Sequence, residues 1–132
     1  TPHSLALSCC LVLRLVAHSG RLTTAPALQN VLDFMEKLVV GDLKALQPGT
    51  STLSVITNEK GGIIDDTVIT KVAEDHLYVV LNAGCREKDL AHINKHLEEF
   101  NSSGAGGVQA HIYDERGLIA LQVRAFPVTS HK

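Results

Sequence analysis

Asp65 and Asp66 are adjacent carboxylates that follow a Gly61-Gly62 turn and open a run, residues 63–72, that alternates like a β-strand. Side chains of a strand point alternately to its two faces. Asp66 therefore shares a side with Ile64, Val68 and Val72, and Asp65 with Thr67, Ile69 and Lys71. The apolar company of Asp66 predicts that it is the acid aimed at a covered or ligand-bearing side, and that Asp65 faces outward. A carboxylate in apolar surroundings is costly to desolvate unless local backbone or a ligand pairs with it. The plainer reading is that both acids close a hairpin, because Asp is a favoured turn residue.

Three further sets of residues have the right types for chemistry. Tyr78, Val80 and Asn82 fall on one side of a second alternating run. They offer an aromatic ring, an aliphatic wall and an amide. They serve equally well as ordinary packing with Asn82 capping the next turn. His92 and His96 are four apart on a helical pattern, which is metal-ligand spacing. Ile93 follows His92, however, so the glutamate of a His-Glu-x-x-His site is missing, and the pair reads as a solvated helix face. Cys9, Cys10 and Cys85 have no zinc spacing and no disulfide framework, and read as reduced thiols. No metal site is expected. Gly104, Gly106 and Gly107 follow a helix instead of preceding one, which is the wrong order for a phosphate cradle.

The elements that must position these residues fit one small domain, since 132 residues build a single core. A composition 45% hydrophobic and 20% charged is globular and argues against disorder. With 12 basic and 14 acidic residues the net charge is −2, so the chain lacks the electrostatic footprint of a nucleic-acid or anionic-membrane binder. The apolar run near residues 5–17 is too short for a membrane span. It reads as a signal-like segment or as a buried strand over 11–16.

Helical spacing of Leu28, Val31, Leu32, Met35, Leu38 and Val39 predicts a helix over 26–40, with Gly41 as its stop. Strands are predicted over 52–57, 63–72 and 76–82, the first two joined by the glycine hairpin loop. A second helix over 86–100 carries the stripe Leu90, Ile93, Leu97 and Phe100. Two more strands are predicted over 108–113 and 118–123. The order implies an α+β fold: an antiparallel sheet with two helices packed on it, in a ferredoxin-like arrangement.

The stretch from Thr57 to Asp66, then Asp75-His76-Leu77-Tyr78-Val79-Val80-Leu81-Asn82-Ala83-Gly84-Cys85 and Glu87-Lys88-Asp89-Leu90, resembles the T-protein of the glycine cleavage system. Phe34 to Leu43 before it and Leu118 to Gln122 after it occur in the same order as in that family. The resemblance covers residues 28–122. Residues 1–27 and the tail 123–132 depart from the family, and only His18-Ser19 are reminiscent of its Asp-Val-Ser-His-Met motif.

The resemblance implies a tetrahydrofolate-dependent aminomethyltransferase, with residues 28–122 as part of its folate-binding domain. Such enzymes take an aminomethyl carbon from the lipoyl arm of the H-protein and pass it to tetrahydrofolate, releasing ammonia. It implies Asp66 as catalytic carboxylate and Leu53, Tyr78, Val80 and Asn82 as folate-lining residues. It implies tetrahydrofolate as co-substrate, no metal, no nucleic-acid or membrane partner, and the mitochondrial matrix in a eukaryote or the cytoplasm otherwise. The family's downstream folate-holding residues do not follow position 122, so the expectation is a truncated chain, inactive alone. The alternative is a non-catalytic α+β binding module built on that fold.

Overall fold

The computed structural model describes residues 10–17, 26–105 and 107–116. Their order is β1 (Cys10–Ala17), α1 (Pro26–Met35), β2 (Thr50–Thr57), β3 (Ile63–Ala73), β4 (His76–Asn82), a 3₁₀ turn (Ala83–Cys85), α2 (Arg86–Phe100) and β5 (Val108–Ile112). The strands form one sheet in the order β2-β3-β4-β1-β5, and every neighbouring pair is antiparallel. Within it, β3-β4-β1-β5 with α1 and α2 is the ferredoxin-like arrangement, and β2 is an added edge strand. The strand expected near 118–123 lies outside the described residues, as do His18 and Ser19.

The expected strand over 11–16 is present, as β1, an interior strand between β4 and β5. Leu13 lies opposite Val79 of β4 on one side and Ile112 of β5 on the other. Residues directly opposite in an antiparallel pair share a face. One face of the sheet is thereby set: Leu13 and Leu15, Leu77, Val79 and Leu81, Ile69, Ile56 and Val108 are all buried there. Both helices cover that face. α1 contributes Val31, Leu32, Phe34 and Met35, and α2 contributes Ile93 and Phe100, with the Phe34 and Phe100 rings 5.5 Å apart. Among the described residues the other face carries no helix.

α1 ends at Met35 and not near residue 40. Leu38 and Val39 keep the helical spacing because they are buried, but the backbone has turned. Val39 bridges Ile56, the Val40 N–H donates to the Val55 carbonyl, and the Thr57 N–H donates to the Leu38 carbonyl. The segment lies along β2 and covers part of its open edge. The Glu36 carboxylate fixes this turn by accepting from the Leu43 and Lys44 N–H groups at 2.8 and 3.1 Å.

The loop between β2 and β3 aims the two acids. Asn58 Oδ1 accepts from the Lys60 and Gly62 N–H groups at 3.0 and 2.9 Å, and Gly61 takes a φ of 77° that favours glycine. Asn58→Ala removes both side-chain bonds. It is expected to cost about 1 kcal/mol by urea denaturation, with the native fold retained. A change indistinguishable from zero would show that the loop is held by its backbone bonds alone.

Candidate functional site: a carboxylate–amide cluster on the bare sheet face

The uncovered face is organised in cross-strand rows. Leu53, Val68, Val80 and Val12 face one another from β2, β3, β4 and β1. This apolar row is strongly exposed at Leu53, 72%, and partly at Val68, 38%, so it is a wall without a covering partner among the described residues. A second row, Ser51, Thr70, Tyr78, Arg14 and His111, runs beside it. Its hydroxyl and cationic groups give that side a polar border. The Tyr78 and Tyr113 hydroxyls are 3.5 Å apart, and the Arg116 guanidinium stacks 3.9 Å from the Tyr113 ring centroid. The Tyr113 hydrogen bond lowers the Tyr78 pKa, with Arg116 acting in the same direction against burial.

The acids border the other side of the apolar row. Asp66 lies opposite Val55 on this face and is exposed. Asn82, the last residue of β4, donates from Nδ2 to Asp66 Oδ1 at 2.8 Å. The same amide nitrogen reaches Asp65 Oδ1 and Oδ2 at 3.1 and 3.2 Å. Two carboxylates thus share one amide group. All five residues expected at the site, Leu53, Asp66, Tyr78, Val80 and Asn82, belong to this single face or its border.

One expectation is corrected. Strand alternation separates the two acids as predicted, but Asp65 does not face outward. It lies opposite Ile56 on the helix-covered side and is the partly buried member, whereas Asp66 is exposed. Apolar pattern misled because Val68 and Val72 are on the bare face while Thr67 and Lys71 are buried under the helices. Thr67 is accommodated by donating to the Val80 carbonyl at 2.9 Å. Lys71 is accommodated by an ion pair with Glu74 at 2.9 Å.

Beneath Asp65 lies a residue that the sequence reading passed over. Asp89, in the first turn of α2, is 0% exposed. Burial pushes its carboxyl up to about 6, and the hydrogen bond and charge of Asp65 push the same way. Burial also opposes ionisation of Asp65. Hydrogen bonds from Asp89, Asn82, the Asp66 backbone and Cys85 outweigh it and hold Asp65 below the usual range. The sequence signal was available: Asp89 is four residues before Ile93, on the inward stripe of α2. Asp65, Cys85 and Asp89 bring one ligand atom each within 4.8 Å of one another. In contact, a carboxyl with a raised pKa and one with a lowered pKa share a single proton at pH values between the two.

His92 and His96 are partly buried instead of forming a solvated face. Their rings meet edge to face at 4.5 Å, and His96 Nδ1 lies 3.0 Å from Glu99 Oε2. Burial, and then the neighbouring His96, lower the His92 pKa. The two rings line a hollow together with Asn58, Glu59, Lys60 and Lys95.

Fold and site together define a ferredoxin-like α+β domain with an extra edge strand and a carboxylate–amide site bordering an apolar wall. Residues 29–122 match the family described as GCVT N-terminal domain, and the chain belongs to that family. A mitochondrial aminomethyltransferase of Mesembryanthemum crystallinum is 62% identical over 104 residues, covering 78% of this chain and 25% of that protein. Its counterpart from Pisum sativum is 60% identical over 104 residues, with the same coverage of 78% and 25%. The crystal structure of glycine cleavage system aminomethyltransferase T from Bartonella henselae matches with a TM-score of 0.63 at 22% identity. That match covers 82% of this chain and 25% of that chain, and it supports the fold. The chain spans about a quarter of the length of the curated relatives it matches.

Proposed function

We propose that this chain carries one wall of the folate site of a tetrahydrofolate-dependent aminomethyltransferase of the glycine cleavage system, with Asp66 as its catalytic carboxylate. The observation that carries this reading is the Asp66–Asn82 contact at 2.8 Å, set at the border of the Leu53–Val68–Val80 wall. A pteridine is a flat ring with polar edges, and an apolar strip flanked by an acid and an amide suits it. Family membership and the names of relatives at 60–62% identity support the same activity.

Asp66 acts on the folate amine that becomes bonded to the transferred carbon. The carboxylate orients that amine, accepts or returns its proton, and stabilises the iminium cation that forms as ammonia leaves. Leu53, Val80 and Tyr78 seat the ring, and Asn82 holds Asp66 in line. The aminomethyl donor is the lipoyl arm of the H-protein, and the compartment is the mitochondrial matrix, in keeping with the relatives' names. No metal takes part. Because the wall is exposed on its ligand side, the 132-residue chain is expected to bind folate weakly and to lack turnover.

Calorimetric titration of tetrahydrofolate into this chain, with Asp66→Ala as control, tests the reading. Saturable heat that the substitution weakens by about tenfold is expected. Equal heats for the two proteins would remove Asp66 from the site, and catalysis by the isolated chain would remove the one-wall description.

A further inference from the structure

Asp89 touches neither the bare face nor anything on it, yet it is connected to Asp66 through two side chains. Its carboxyl is in contact with Asp65, both Asp65 oxygens receive the Asn82 amide at 3.1 and 3.2 Å, and the same amide reaches Asp66 at 2.8 Å. Among the described residues neither Asp89 oxygen meets a donor from another residue. An ionised Asp89 would therefore be an unsatisfied buried charge pressed against a second carboxylate, an arrangement that costs several kcal/mol in general. Protonated, it becomes the donor that Asp65 needs, and the pair keeps a single negative charge.

We propose that Asp89 is a positioning residue for Asp66: its carboxyl O–H holds Asp65, Asp65 holds Asn82, and Asn82 holds Asp66 from beneath the sheet. The amide of Asn82 is the shared element. When Asp89 donates to Asp65, part of the acceptor demand of Asp65 is met from below, and the Asn82 N–H groups are left to span both acids. When Asp89 loses its proton, Asp65 competes harder for Asn82, and the grip on Asp66 loosens. The proposal rests on the reading of Asp66 as the ligand-facing acid, but its first link is independent of folate.

The titratable groups that face Asp89 among the described residues are Asp65 from β3, Cys85 from the 3₁₀ turn and Lys88 from its own helix. Lys88 pulls the Asp89 pKa down, against the larger upward push of burial and Asp65, and its ammonium also donates to the Ile64 carbonyl at 2.6 Å. The sign of the linkage follows. Asp89 is raised above its unfolded value, so its contribution to stability is present below about 3.9 and is lost as pH rises through about 6. Asp65 is lowered, so its contribution is present above its unfolded value and is lost as pH falls through its folded one. The one-proton pair is the favoured state between those limits.

The test uses the full 132-residue chain and four proteins: wild type, Asp89→Asn, Asp89→Ala and Asp65→Asn. Side-chain NH₂ resonances of Asn82 are followed by NMR from acid to neutral pH, and tetrahydrofolate affinity is measured across the same range. In the wild type the Asn82 amide is expected to titrate with a midpoint near 6. Asp89→Asn supplies a permanent N–H donor to Asp65 and should abolish that step while keeping the amide protected from exchange. Asp89→Ala should also abolish it, but with amide exchange faster by about tenfold and a comparable loss of affinity. Rescue by Asn but not Ala is the signature that mere packing would not give. A step near 6 that persists in Asp89→Asn, or equal behaviour of Asn and Ala, would overturn the proposal. If Asp89→Ala unfolds, Asp65→Asn carries the same comparison: loss of the Asn82 step supports the relay and its persistence refutes it. Absence of folate binding in every protein would refute the functional reading, while the Asn82 titration would still decide the relay.

Discussion

Asp66→Asn, carried in a full-length aminomethyltransferase containing this segment, is expected to lower kcat by about 10²–10³ while leaving the unfolding temperature unchanged. Asp66 is exposed, and among the described residues its carboxylate accepts one hydrogen bond, from Asn82, which an asparagine carbonyl can still accept. Removing its charge therefore alters the site and not the core, and exposed substitutions of this kind fall within about 0.5 kcal/mol. Asp65→Asn should show the opposite balance. It removes the charge that Asn82 bonds to from the bare face and Asp89 from the covered side, so the larger effect falls on stability. The two variants measured together, kcat by steady-state turnover and stability by thermal unfolding, decide the assignment. A greater catalytic loss for Asp65→Asn at unchanged stability would exchange the roles given to the two acids.

Phe34→Ala is expected to be the most damaging single change to the fold. Phe34 is 1% exposed, and its ring meets Phe100 at 5.5 Å, so α1 and α2 are joined through it above the sheet. Truncating a buried phenylalanine costs about 3–5 kcal/mol, against the roughly 5–15 kcal/mol that holds a domain together. Urea denaturation of this chain should show a midpoint lowered by a third or more, or no folded baseline. A loss below about 1 kcal/mol would mean that the two helices do not pack through this ring.

Much of this architecture was legible in the residues. β4 and α2 coincide with their expected limits, and β3 differs only at its end. The reason is that alternation in His76–Asn82 and helical spacing in Arg86–Phe100 agree with the turn residues at their ends. α1 was overextended because Leu38 and Val39 are buried at helical spacing in a backbone that has already turned, and spacing reports burial before it reports conformation. Val68 and Val72 were correctly grouped with Asp66, since period 2 is rigid in a strand, but Ile64, beside the register shift at Ile56/Thr57, packs against the core instead. Which face the helices cover was not legible. Buried Lys71 and Thr67 invert the polarity of β3, and their partners, Glu74 and the Val80 carbonyl, are found only in three dimensions. Asp89 was hidden for the same reason: an acid on an inward stripe looks like an exception until its carboxyl neighbour is in place.

The interior position of β1, between β4 and β5, also constrains how the chain is made. It leaves the ribosome before the other strands, yet its two partners are β4 and β5, which emerge late. The β2-β3-β4 meander closes through short loops and can assemble as soon as it is synthesised. Until then, Leu-Val-Leu-Arg-Leu-Val of β1 must wait unpaired, an apolar strand with both edges open. The order this topology leads one to expect is a late insertion of β1 between a finished meander and a newly released β5. Interruption of translation before Val108 leaves that slot half built, and such a nascent chain presents to chaperones the very segment that holds the finished sheet together.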